Sequence, residues 1–316
     1  AHAAAAASGK PLYRYLADRY AADPEEIAVP MPMVNIISGG LHAGKNIDLQ
    51  DFLVIPIGAP TYREALAMVS AVYWRTKEIL ARRGCIADLL ADEGGFGPAL
   101  GSNREALDVL VEAMEQSGLR PGVDMGIALD VASSHFYDAE ERLYRLKSEG
   151  RALTPDEMIG MLESWVREYP ILSIEDGLAE DDWDGWTALT ARLGDRVELV
   201  GDDFFTTNPQ RIRQGIERKA ANSVLVKMNQ IGTLTETVQA VKMARGAGYR
   251  TVISARSGET EDATLADLAV GLDGGQIKIG SLARSSRLAK YNQLLRIEEE
   301  IDGRFAGKAV FRAIQR

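Results

Sequence analysis

The chain has 316 residues, 46% of them hydrophobic and 26% charged, a globular composition long enough for one large barrel or two ordinary domains. Its formal net charge of −10 excludes a broad cationic face for nucleic acid or anionic lipid, so any phosphate site must be a small local island. Cys85 is the sole cysteine, which excludes an internal disulfide and fits a reducing cytosol. No apolar run approaches the roughly 20 residues that span a bilayer.

The opening "AHAAAAASGKPLYRYLA" lacks a basic n-region and a long apolar h-region, so it does not read as a signal peptide. Its alanines predict a helix tail ending at Gly9-Lys10-Pro11. Residues 1–29 read as a remnant helix and linker of a preceding domain, and residues 30–316 as one catalytic domain. "VPMPMVNIISGG" and "DFLVIPIGA" resemble two strands around a glycine-rich excursion. Helices near 61–83 and 103–117 follow, with "IADLLADEGGFG" between them.

From residue 120 one rhythm repeats: a short apolar run, a polar or acidic cluster, then an amphipathic stretch. "MGIALD" precedes a helix near 154–169, "PILSIED" one near 181–193 and "VELVGDD" one near 208–219. "SVLVK" precedes 233–247, "RTVIS" precedes 262–271 and "GQIKIG" precedes 285–300. Strand-then-helix units in series call for a parallel sheet with helical crossovers, buried on both faces. The inventory fits a (β/α)8 barrel with an unusual beginning; a doubly wound sheet uses the same unit.

In a barrel, the carboxyl ends of the strands converge on one mouth. The residues expected there are Glu93, Asp130, Glu175, Asp202, Lys227, Arg256 and Lys278. A single carboxylate after a strand is more often a helix cap, but capping has no use for lysines in "LVKMNQ" and "QIKIGS". Asp130, Glu175 and Asp202 would crowd three negative charges together, which a hard divalent cation such as Mg²⁺ resolves. Asp176 and Asp203 adjoin them as supporting groups. Lys227 beside a dication would lose proton affinity and could act as a base, or else simply pair with a carboxylate. Glu93, before Gly94-Gly95, is a candidate general acid. Arg256 and Ser257, with Gly258 admitting close approach, form a short anion clamp, and Lys278 adds a second cation. This set suits proton abstraction next to a carboxylate.

These residues stand in segments that resemble the enolase family from about residue 1 to residue 300. The segments include "GGLHAGKN", "DEGGFGP", "ALDVASS", "SIEDGLAEDDWDGW", "LVGDD", "VKMNQIGTLTET", "SGETEDA" and "RLAKYNQLLRIEEE". The resemblance implies an enolase-type α/β fold: a ββαα(βα)6 TIM barrel, normally preceded by a small α+β N-terminal domain that is absent here. It implies reversible, Mg²⁺-dependent dehydration of 2-phospho-D-glycerate to phosphoenolpyruvate in glycolysis. Enolase-superfamily sites are already known to pair a Lys or His base with Mg²⁺. By resemblance Asp130, Glu175 and Asp202 hold the structural Mg²⁺, Lys227 removes the C2 proton and Glu93 assists loss of the C3 hydroxyl. Arg256 and Ser257 match phosphate contacts, Lys278 a substrate-carboxylate contact, and His42, Gln50 and Asp51 the site wall. A cytoplasmic homodimer, sometimes an octamer, is the family pattern.

Three departures bear on function. "SARSGE" places Ala255 where enolases carry a histidine, and "QDF" places Asp51 where they carry glutamate. The loop that supplies a serine to the second, catalytic Mg²⁺ belongs to the expected N-terminal domain. The alternatives are a diverged paralogue acting on a related phosphorylated or phosphonylated carboxylate, as carboxyphosphonoenolpyruvate synthases do, and a non-catalytic metal- or protein-binding scaffold.

Overall fold

Runs that are largely apolar become strands when both their faces are covered, and eight such runs form the centre of this molecule. The computed structural model describes residues 1–311, so the expected domain end at residue 316 lies outside the described residues. The barrel strands are β1 (Met31–Ser38), β2 (Asp51–Ile55), β3 (Gly126–Asp130), β4 (Ile171–Glu175), β5 (Glu198–Gly201), β6 (Ser223–Val226), β7 (Arg250–Ser254) and β8 (Gln276–Gly280). They close in the order β1-β8-β7-β6-β5-β4-β3-β2, which rules out the open, doubly wound arrangement. β2 runs antiparallel to both β1 and β3, and the other pairs are parallel.

Helices Tyr62–Arg82 and Asn103–Gln116 lie between β2 and β3, and helical crossovers follow each later strand, giving ββαα(βα)6. The helix starts are set by side chains that satisfy otherwise free amides. Thr61 accepts from Glu64 N, Ser102 from Glu105 N and Thr233 from Glu236 N, while Thr154 and Glu157 form a reciprocal capping box. This Ser/Thr-x-x-Glu spacing keeps the observed helix boundaries within a few residues of the expected ones.

Side chains alternate across each strand, and this alternation builds the site. Met31, Met33, Leu53, Ile55, Val200, Leu225 and Val252 share an inner cluster with Phe311, while a larger cluster fills the layer between barrel and helices. Two residues beyond Val200 stands Asp202, and two beyond Leu225 stands Lys227. The inner core is thus roofed by charge at the carboxyl ends of the strands.

Two elements depart from the sequence reading. The helix His2–Ala7 forms as expected, but Leu12–Tyr20, read as linker, is a helix. Leu12 and Leu16 are four residues apart and bury one face, while Tyr13 N donates to Asp267 Oδ1 at 3.2 Å. A Cβ on Gly271 would fall 2.5 Å from Leu16 Cβ, so only glycine admits this contact. The segment after β3 also forms a three-stranded antiparallel sheet, Tyr137–Asp138, Leu143–Leu146 and Arg151–Leu153, which the repeating rhythm did not indicate. Among the described residues no helix is long and apolar enough to cross a membrane.

Candidate active site

Asp130 and Glu175 end β3 and β4 and are register partners. Lys278, inward-facing in β8, lies between them: its Nζ is 2.7 Å from Asp130 Oδ2 and 2.8 Å from both Glu175 oxygens. Gln50 Nε2 donates to Asp130 Oδ2 at 3.2 Å. Burial alone would raise the Asp130 pKa, but the Lys278 ammonium reverses this and lowers it. Burial and the Asp130 charge push Glu175 well above the usual carboxylate range, with Lys278 opposing. Burial works against the charge on Lys278 too, yet Asp130 and Glu175 hold its pKa well above the ordinary value. Expected as a substrate contact, Lys278 is therefore also the countercharge of two buried acids.

Asp202 follows β5 and Lys227 follows β6. Lys227 Nζ donates to Asp202 Oδ2 at 2.5 Å, and Gln230 Nε2 donates to Asp202 Oδ1 at 3.2 Å. Sequence reasoning expects a lysine of lowered proton affinity. In the structure burial does oppose its charge, but Asp202 and Glu175 raise the Lys227 pKa. Asp176 holds a left-handed φ of 44° and accepts from Asp202 N at 2.9 Å and Asp203 N at 2.8 Å. Ligand atoms of Asp176, Asp202 and Asp203 lie within 4.8 Å of one another.

The expected trio Asp130, Glu175 and Asp202 does not form one such cluster among the described residues. The physical reason is that each carboxylate is drawn to an ammonium: Asp130 and Glu175 to Lys278, Asp202 to Lys227. Charge nevertheless links all three, since Asp130 and Asp202 both raise the pKa of Glu175. Burial first, then Asp202, raises Asp176 and Asp203. Five carboxylates thus surround two ammonium groups. This oxygen-rich, net-negative donor set fits a hard divalent cation, and Asp176, Asp202 and Asp203 already lie close enough together to hold one.

A second group forms beside β1 and β2. His42 Nδ1 is 2.9 Å from Asp51 Oδ2, while Asn35 Nδ2 and Ser38 Oγ donate to Asp51 Oδ1 at 2.6 and 2.7 Å. Burial disfavours the imidazolium, but the Asp51 charge and hydrogen bond dominate and raise the His42 pKa to about 9. Glu93 joins these two residues, all three ligand groups lying within 4.8 Å. It is 6% exposed and its Oε2 has no hydrogen-bond partner. Burial, then the Asp51 charge, raises its pKa against Lys278 and His42, which favours a protonated carboxyl. Glu93 does not follow a strand as the expectation placed it. Its loop is brought to the mouth by Phe96 N donating to Ile36 O at 2.8 Å and Ser281 N donating to Glu93 O at 2.9 Å.

Arg256 and Ser257 stand exposed beyond β7 and make no hydrogen bond to the carboxylates or to Lys278 among the described residues. Ala255 is buried, and its N donates to Lys278 O at 3.0 Å. Beside it lies a cavity of about 180 Å³, lined by Met228, Asn229, Ala255, Glu259, Leu265 and Lys290. Sequence reasoning missed Arg287 and Lys290, whose side chains reach the loop carrying Arg256 and Ser257.

A closed barrel that gathers acids and ammonium groups at its strand ends, with a buried carboxyl on an adjoining loop, belongs to the class of TIM-barrel proteins whose active sites lie at that mouth. Residues 26–314 match the family model described as enolase, C-terminal TIM barrel domain, and the chain belongs to that family. The enolase superfamily comprises lyase- and isomerase-type enzymes.

Proposed function

We propose that the protein is a Mg²⁺-dependent lyase that interconverts 2-phospho-D-glycerate and phosphoenolpyruvate. The observation that carries this reading is the pairing of two proton-handling groups on different walls of the mouth. Lys227 follows β6, whereas Glu93, buried with a free Oε2, docks between β1 and β8. Lys227 is the group to take the C2 proton, and Glu93 the group to give a proton to the departing C3 hydroxyl. The products are water and a C2–C3 double bond. Lys278 faces the substrate carboxylate, and Arg256 and Ser257 meet the phosphate. Asp130, Glu175 and Asp202 would hold a divalent cation, which when bound would supply positive charge beside the substrate carboxylate; Asp202 engaged in that role would release Lys227 to act as the base. Asp176 holds the Asp202–Asp203 backbone in place for that role.

Asp51 in the place of the family glutamate keeps a complete set of partners, so the change is compatible with turnover. The cavity beside Ala255 favours a second reading, a paralogue acting on a bulkier phosphorylated or phosphonylated carboxylate. The test is phosphoenolpyruvate formation from 2-phosphoglycerate by the full-length protein with Mg²⁺, a preceding N-terminal domain included where present. Turnover that Lys227→Ala abolishes supports the hydratase reading. Weak turnover that Ala255→His increases supports the paralogue. No turnover by either form contradicts the first reading.

A further inference from the structure

The outer helix after β8, Ser285–Glu300, departs from the usual rule for an amphipathic element by burying two cations on its apolar face. Its inward face carries Arg287 and Lys290 beside Tyr291, Leu294 and Ile297, while Leu288 is exposed. Arg287 and Lys290 are each only 1% exposed. Three residues apart, they reach the same loop.

Arg287 Nη1 donates to the carbonyls of Arg256 at 2.7 Å and Ile279 at 3.0 Å, and Nη2 donates to that of Ser257 at 2.6 Å. One rigid guanidinium therefore ties the loop after β7 to the end of β8. Lys290 Nζ adds the carbonyl of Thr260 at 2.6 Å. Room for the arginine depends on Gly280, at φ +106°, where a Cβ would stand 3.2 Å from Arg287 Cδ. At residues 256 and 257 the loop is gripped through its backbone, so the Arg256 and Ser257 side chains remain exposed to solvent, while Lys290 Nζ also pairs with Glu259 Oε1 at 3.7 Å.

The grip is electrostatically unusual. All the hydrogen bonds of Arg287 go to neutral carbonyls, and its Nε has no partner. The Glu93 charge acts on it without a hydrogen bond. A buried cation with no hydrogen-bonded carboxylate is poorly compensated for stability alone, and a neutral side chain of that length would pack without the penalty. The same charge lies directly beneath an exposed arginine and a hydroxyl, where it adds to the attraction for an anion.

We infer that Arg287 is the positioning residue of an anion-binding loop, holding the backbone at residues 256–257 so that Arg256 and Ser257 meet the phosphoryl group of the substrate. This rests on the reading of Arg256 and Ser257 as the anion contact, but not on the identity of the reaction.

The test is calorimetric titration of the Mg²⁺-loaded full-length protein with inorganic phosphate at fixed ionic strength, for wild type, Arg287→Met and Arg287→Lys. Affinity should fall at least about tenfold in Arg287→Met, the scale of one lost charge-assisted hydrogen bond, and less in Arg287→Lys. With 2-phosphoglycerate, KM should rise more than kcat falls. A variant less thermostable than wild type but unchanged in phosphate affinity has lost a structural residue, and that result overturns the inference. So does a wild type that binds no phosphate. If Arg287→Met does not fold, Arg287→Lys decides, since a single ammonium cannot span the three carbonyls and unchanged affinity overturns the proposal. Phosphate affinity that depends on Arg287 in a protein inert toward 2-phosphoglycerate sinks the reaction and leaves this inference standing.

Discussion

Asp130 and Glu175 stand side by side on neighbouring parallel strands, and the Lys278 ammonium lies within 2.8 Å of both. All three are buried, so removing the ammonium strands two acids in a low-dielectric barrel. Lys278→Met should destabilise the protein by about 3–5 kcal/mol in denaturant unfolding without divalent ions, and Mg²⁺ should restore part of the loss. An unchanged unfolding midpoint would show that the carboxylates find compensation elsewhere.

The His42–Asp51 contact predicts a pH dependence. The folded-state pKa of His42 is raised to about 9 from an ordinary 6.5. A raised histidine pKa means the folded state holds the proton more tightly, so the contribution is complete below about pH 6.5. It fades as the pH climbs through about 9. An NMR titration should place the imidazole midpoint near 9, and the stability gap between wild type and His42→Gln should close over the same window. A midpoint near 6.5 would mean that Asp51 does not hold the proton there.

The net-negative floor predicts stabilisation by a divalent cation. At Mg²⁺ about 100-fold above its dissociation constant, binding to the folded state alone adds about 2.7 kcal/mol. Scanning calorimetry with Mg²⁺ and with chelator should separate the two melting temperatures, and Asp202→Asn should shrink the separation. Coincident transitions in wild type would argue against a metal at these residues.

Much of the barrel is written in local patterns. Apolar runs followed by Ser/Thr-x-x-Glu caps fix where strands stop and helices begin, as at Thr61, Ser102 and Thr233. The charged residues at the strand ends were equally visible, because period-two alternation carries Asp202 and Lys227 into the mouth with Val200 and Leu225. What stayed hidden depends on packing between distant segments. Leu12–Tyr20 looked like linker until Gly271 gave Leu16 a surface to touch. Arg287 and Lys290 drew no reading of their own from the sequence, although the inward repeat of Tyr291, Leu294 and Ile297 places them on the core side of the helix. The distribution of carboxylates between two lysines was also out of reach, since spacing does not say which acid captures which ammonium.

The division of labour between Lys227 and Glu93 is most directly tested by hydrogen exchange at C2 of 2-phosphoglycerate in deuterated water, followed by NMR in the presence of Mg²⁺. Glu93→Gln should retain C2 exchange while dehydration falls by about 10²–10⁴-fold, and Lys227→Ala should lose exchange and dehydration together. C2 exchange at the wild-type rate in Lys227→Ala would contradict the account.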